Sequence, residues 1–285
     1  MTYIGVALGR REDARLLSGA GSYVADLELP GMRELVFVRS VSPCGSSTLD
    51  TARARAAPGV LDVVSGRDVA RHLPPLTGMQ VTDPEGWSQR VSHHVELPAQ
   101  PLLALGSVHY VGEPIAAIVA QTRYAALDAA EQVGQSVAEM PPILDHVAAA
   151  ESSHARVHGH LSSNVMADMT VSKGDVRSAL ANAPRQLTRT ISHHRYAASP
   201  IECRAVAAQF DRRDGVLTVW STTQVVHWVQ AQLSRALKLP ESCVRVIAPD
   251  VGGGFGVKGH AYPEELLVAW MAMRLDQPVR WIEQR

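Results

Sequence analysis

The sequence predicts a mixed α/β chain of the α+β class, and three observations predict it. Short apolar runs that read as strands, such as Ile115 to Ala120 and Val244 to Ala248, alternate with longer stretches of helical periodicity, such as Arg123 to Val133 and Glu264 to Leu275. Clusters of Gly, Pro and Asp separate these runs, as turns require. The strand Val244 to Ala248 is joined to the helix from Glu264 by a bend, Gly252 to Lys258, in which four of seven residues are glycine. A chain of 285 residues suits two units of roughly 100–200 residues each.

Taken in order, residues 1–30 are rich in turn signals, ending at Leu29-Pro30-Gly31. Glu34 to Arg39 reads as a mostly buried strand around Leu35 and Phe37. Leu49 to Ala57 predicts a short helix, with Asp50 near its start and Pro58-Gly59 ending it. Val60 to Val64 is a second strand, and Gly66 to Val69 opens a short turn or helix. Residues 72–105 carry Pro, Gly and polar residues with weak periodicity, which predicts a long connecting excursion. Val108 to Pro114 leads into the buried strand Ile115 to Ala120, and Thr122 caps the Ala-rich helix that follows. The alternation makes residues 1–135 an α/β unit, with a loop-like linker over 136–163 and a second unit over 164–285.

In the second unit Val165 to Val171 reads as a strand, Lys173-Gly174-Asp175 as a turn and Val176 to Ala183 as a short helix. Leu187 to His194 alternates polar and apolar residues, as a strand with one wet face does. Ala205 to Asp211 and Val216 to Ser221 form a hairpin around Arg213-Asp214-Gly215. Val225 to Leu237 is a helix, and Val244 to Ala248 is read as the last strand.

Composition narrows the function. Apolar residues make up 46% and charged residues 19%, enough for a packed core. The 27 basic and 28 acidic residues nearly cancel, which argues against nucleic acid or an anionic membrane as partner. No apolar run approaches the ~18 residues of a membrane span, and no signal peptide opens the chain. Cys44, Cys203 and Cys243 are too few and too widely spaced for a disulfide framework, so a reducing, cytoplasmic setting is expected. The twelve histidines are dispersed and form no zinc motif, so no metal ligand is assigned.

Three segments are candidates for chemistry. The bend Gly252 to Lys258 fits neither a P-loop, which needs Ser or Thr after the lysine, nor a Rossmann fingerprint, which fails at Val257. It reads as a cofactor loop or as a structural turn. Gln224, between a strand and a helix, carries a donor and an acceptor on one amide and reads as a cleft residue or an ordinary first-turn residue. Glu202 and Arg204 alternate in Ser199 to Arg204 and are expected to form a buried ion pair, while Cys203 has no base beside it and reads as an inert core cysteine.

Together these segments resemble the large, molybdenum-cofactor-binding subunit of the molybdenum hydroxylases, which include xanthine dehydrogenase, aldehyde oxidase and aerobic carbon monoxide dehydrogenase. The resemblance rests on Arg10 to Gly19, Gly21 to Asp26, Pro58-Gly59-Val60, Tyr110 to Ala116, Pro200 to Arg204, and above all Ala248 to Lys258 running on to Pro278 to Glu283. It implies a hammerhead-like α/β domain followed by an incomplete first molybdopterin-binding domain. It implies that Gln224 hydrogen-bonds an oxo ligand of molybdenum and that Gly253, Gly254, Phe255 and Gly256 lie against metal and pterin. The implied cofactor is molybdenum–molybdopterin in its cytosine dinucleotide form, held through the pterin and with no metal ligand or catalytic residue from this chain. FAD and [2Fe-2S] centres are implied on partner subunits, a flavin-binding medium subunit and an iron–sulfur small subunit.

Gly259 after Lys258, where the purine-oxidising branch has glutamate, resembles the aldehyde and carbon monoxide branches. Three segments depart from the family: Arg39 to Cys44, Val226 before His227, and Gly134 to Glu139. The family continues into a second domain with most pterin contacts, the substrate loop and a general-base glutamate. The resemblance therefore implies the N-terminal portion of an oxidoreductase that needs a C-terminal half, and no activity for this chain alone. An inactive truncated paralogue without cofactor and, more weakly, a nucleotide-binding module are the rival readings.

Overall fold

The computed structural model describes residues 3–76, 91–95, 98–151, 155–171 and 173–284. The elements follow in chain order as α1 (Asp13–Leu17), β1 (Arg33–Arg39), β2 (Gly45–Asp50), α2 (Ala52–Arg55), β3 (Val60–Ser65), α3 (Gly66–Ala70), β4 (Val91–Val95), β5 (Ser107–Val108), β6 (Pro114–Ala120), α4 (Arg123–Ala130), β7 (Gly134–Glu139) and α5 (His146–Ala149). They continue as β8 (Ala167–Val171), α6 (Val176–Ala181), β9 (Ala205–Asp211), β10 (Val216–Ser221), α7 (Val226–Leu237), β11 (Val244–Ile247), α8 (Pro263–Leu275) and β12 (Val279–Ile282).

One seven-stranded sheet, ordered β11-β10-β9-β12-β1-β6-β3, runs through both halves of the chain. Its centre is the parallel pairing of β1 with β12, where Arg33 faces Val279 and Glu34 faces Arg280. β6, buried at every residue, pairs antiparallel with both β1 and β3. Such a continuous apolar run belongs to a strand covered on both faces. Ala126 and Ala129 of α4 are fully buried, which lets this helix lie close on the sheet. The Thr122 hydroxyl caps α4 by accepting from Ala125 N–H at 3.2 Å. The largest apolar cluster joins Leu35, Phe37 and Val64 to Leu217, Leu233 and Leu266, so the halves share one core.

Four expectations from sequence are corrected. Gly45 to Asp50 is a strand, so the predicted helix at Leu49 shrinks to α2. β7 occupies part of the stretch read as loop, pairing with β2 from Gly45↔Glu139 to Asp50↔Gly134. Each strand turns only one large apolar side chain inward, Leu49 of β2 and Val137 of β7, onto the small cluster of Ala104, Val108 and Ile115, so the sequence carries little apolar alternation there. Leu187 to His194 is exposed and makes no helix, turn or bend, but it pairs with no described strand. β12, not β11, is the last strand. Residues 77–90 and 96–97 of the stretch read as a connecting excursion lie outside the described residues.

Candidate functional site

Parallel strands β10 and β11 place their carboxyl ends side by side, the usual position of a ligand crevice in an open α/β sheet. Gln224 lies just past β10, before α7, and the glycine bend lies between β11 and α8. The two meet. Gly256 N–H donates to Gln224 Oε1 at 3.1 Å, and Gln224 N–H donates to the Lys258 carbonyl at 2.9 Å. A Cβ on Gly254 would come within 2.6 Å of Gln224 Oε1, so only glycine allows this approach.

The contact also orients the amide. With Oε1 taken by an N–H, Nε2 is left as the outward donor on an exposed side chain. Among the described residues, the N–H groups of Gly253, Gly254 and Phe255 also have no hydrogen-bond partner. Phe255 sits in the left-handed region at φ 50° and is 78% exposed, next to Gly253 and Gly256 at positive φ. A phenylalanine so placed gives up core burial and carries strain of about 1–2 kcal/mol. Strained, solvent-facing backbone of this kind concentrates at functional sites.

Buried charge holds the bend from behind. Glu202 Oε2 accepts from Gly252 N–H at 2.7 Å and from Lys258 Nζ at 2.9 Å, and the Lys258 side chain is 1% exposed. A Cβ on Gly252 would fall 2.5 Å from that of Glu202. Ahead of the bend, Asp250 receives both guanidinium nitrogens of Arg15 and the N–H of Ser22. The Arg15 hydrogen bonds hold the Asp250 carboxyl well below the usual range.

Behind that layer lies a second network. Arg204 bridges Glu264 and Glu283, with Nη2 at 2.6 Å from Glu283 Oε1, and its guanidinium lies over the Tyr262 ring at 4.3 Å. Burial pulls its pKa down, but the two carboxylates outweigh this and leave it raised. Glu264 is lowered despite burial, because Arg204 and Arg39 face it. Glu265 accepts from Ser221 Oγ and from Tyr262 N–H, and burial, aided by the Glu264 charge, pushes it up to about 7.

The predicted residues Gln224, Gly253, Gly254, Phe255 and Gly256 thus converge in one place. The expected ion pair between Glu202 and Arg204 does not form; each binds a different partner. Residues 201–204 are not a strand, so alternation there does not put two side chains on one face. Sequence reasoning missed Lys258 as the partner of Glu202. The available signal was an apolar-flanked lysine inside a glycine bend, which calls for a nearby carboxylate. The Cys203 thiol is free and half-buried. Among the described residues no group of three His, Cys, Asp or Glu is placed to hold a metal ion.

Fold and bend define an α/β unit of the kind that carries a cofactor at its strand ends. Residues 157–285 match the family model of a molybdopterin cofactor-binding domain, and residues 18–137 that of the a/b hammerhead domain of aldehyde oxidase and xanthine dehydrogenase. The chain is 35% identical to the nicotine 6-hydroxylase large subunit of Paenarthrobacter nicotinovorans, over 99% of this chain and 33% of that one. It is 30% identical to the carbon monoxide dehydrogenase large chain of Afipia carboxidovorans, over 97% of this chain and 34% of that one. Quinoline 2-oxidoreductase of Pseudomonas putida 86 superposes with a TM-score of 0.85 at 36% identity, covering 99% of this chain and 35% of that one. The chain belongs to the molybdenum hydroxylase large-subunit family and corresponds to its N-terminal part. It spans about a third of the length of the relatives it matches.

Proposed function

We propose that this chain supplies one wall of the molybdenum site in a hydroxylase or dehydrogenase of this family. The observation that carries the reading is the joint between Gln224 and the glycine bend, which leaves unpaired donors on one exposed rim. Those donors suit a cofactor rich in oxygen acceptors, and at Gly254 no side chain stands between the backbone and Gln224. Gln224 Nε2 donates to the cofactor, Gly253, Gly254 and Gly256 let it approach the backbone, and Phe255 shapes its face. The bound molybdenum cofactor supplies the redox centre for oxidising a carbon substrate with oxygen from water, or for oxidising carbon monoxide. Its form is the cytosine dinucleotide. Electrons leave through [2Fe-2S] and FAD on separate subunits, in the cytoplasm, where the free thiols of Cys44, Cys203 and Cys243 suit a reducing medium. The hammerhead-like unit is assigned to 1–135, the linker to 136–163 and the cofactor unit to 164–285, in keeping with the two family matches.

The full chain, co-expressed with the remaining two thirds of the Paenarthrobacter nicotinovorans large subunit it resembles, tests this. The complex is expected to contain molybdenum by elemental analysis, and CMP is released from its pterin on hydrolysis. With the partner subunits added it oxidises a substrate drawn from nicotine, quinoline and carbon monoxide. Gln224→Ala is expected to lower turnover at least tenfold with molybdenum content unchanged, in line with loss of one positioned donor. A complex without molybdenum supports the inactive paralogue, and tight binding of ATP by the chain alone supports the nucleotide module.

A further inference from the structure

The geometry points to residues 185–197 as a docking strand that pairs, main chain to main chain, with an acid-flanked strand in the part of the large subunit lying beyond the third matched here; this rests on the family reading above. From Pro184 to Ser199 every residue is exposed, and from Arg185 to Pro200 the backbone makes no helix, turn or bend. Among the described residues no backbone-to-backbone hydrogen bond involves 184–201; Arg189 alone touches a carbonyl there, that of Thr188. An unpaired run of N–H and C=O groups is a template for another strand.

The side chains are those of a strand, not of a linker. Thr188, Thr190, Ile191 and Tyr196 favour extended backbone, whereas linkers favour Gly, Ser and Pro. Leu187 and Ile191 are 77% and 76% exposed, and Tyr196 is 88% exposed, so a covering surface is missing. Three arginines, Arg185, Arg189 and Arg195, join His193 and His194, and no acidic residue occurs between 184 and 201. A second copy of the same strand would set these charges against one another, so self-pairing is disfavoured and an acidic partner strand is selected. The segment leads directly into Glu202, which anchors the glycine bend, so docking here would position the partner beside the cofactor rim.

Co-expression of the full chain with the remaining two thirds of the nicotine 6-hydroxylase large subunit provides the test. In the complex, hydrogen exchange across 185–197 is expected to slow at least tenfold relative to the chain alone. Proline scanning adds a signature that a loose apolar contact lacks, because only every second N–H of an edge strand faces its partner. One of the two sets, Thr188→Pro, Thr190→Pro and Ser192→Pro or Arg189→Pro and Ile191→Pro, should cut co-purification tenfold or more. The other should cut it less than threefold, and neither should shift the unfolding midpoint of the chain alone. A complex that forms without protection of 185–197, or equal effects from both sets, overturns the docking strand and leaves the family reading standing. Protection in the chain alone that grows with concentration assigns the strand to a second copy and also overturns it. No complex at all overturns both the docking strand and the proposed role in the molybdenum site.

Discussion

At the scale of single residues, the glycine bend is held by a charge pair that lies out of solvent. Lys258 Nζ has no escape to water, and Glu202 gives one oxygen to it and to Gly252 N–H while Oε1 stays buried without a partner. A buried pair adds little net stability when intact, but losing one member strands the other, at a cost of about 3–5 kcal/mol. Glu202→Gln and Lys258→Met are each expected to destabilise the chain by about 3 kcal/mol in urea unfolding. The double variant should lose less than the sum by at least ~1 kcal/mol, since no stranded charge remains. Strict additivity would show that the two do not act together. The same residues show what was legible in sequence. Local chemistry singled out Gln224 and the glycines but left each with a structural alternative, and only the family resemblance put them together, where the structure has them meet. The partners of Glu202 and Arg204 were not legible, because charge pairing across 56 and 60 or more residues depends on where the glycine bend, α8 and the residue after β12 carry their side chains.

At the scale of elements, α8 explains the geometry best. Pro263 begins it, suited by its fixed φ to the first helical position, and nine of its thirteen residues are buried, including Glu264 and Glu265. The two adjacent carboxylates go to opposite fates. Glu264 meets two arginines and stays charged; Glu265 meets a hydroxyl and an N–H, with no cation bonded to it, and its pKa rises to about 7. The folded chain therefore holds this proton between about 4.5 and about 7, where the unfolded chain has released it. Stability is lost as pH rises through that window, by up to about 3 kcal/mol. Glu265→Gln removes the charge, keeps an oxygen to accept from Tyr262 N–H, and can reverse the other bond so that Nε2 donates to Ser221 Oγ. It is expected to be more stable than the parent by about 2 kcal/mol at pH 8, with the gap nearly closed at pH 5. An equal gap at both pH values would remove burial of a titrating carboxyl as the explanation. Elements such as α8, β6 and the β9–β10 hairpin were legible from apolar runs and turn residues. β2 and β7 were not, since each turns only one large apolar residue inward, Leu49 and Val137, and the strand-like alternation of 187–194 has no strand partner among the described residues.

At the scale of the whole molecule, two family matches divide what one sheet unites. β12, from the last residues, lies between β1 and β9, and so does the seam between the halves. Glu34 and Arg280 face each other across that seam at 2.6 Å, and Arg280 also reaches the carbonyls of Ala25 and Leu27. The Phe37 and Trp281 rings meet edge to face at 5.6 Å, a contact of about 0.5–1.5 kcal/mol beyond the area it buries. Without β12 and α8, β1 would expose an edge and one wall of its core, so residues 18–137 alone are expected to aggregate and not to fold. The intact chain should instead unfold as one unit. Four of its five tryptophans, Trp220, Trp228, Trp270 and Trp281, lie in the second half, so fluorescence reports there. Hydrogen exchange in β6, buried throughout, reports on the first half. Coincident urea midpoints for the two probes are expected, because a shared core makes opening of either half expose the other. Two transitions separated by more than ~1 M urea would mean that the seam is too weak to couple the halves. The glycine bend would then be supported by the second half alone, with Arg15 and Ser22 as its ties to the first through Asp250.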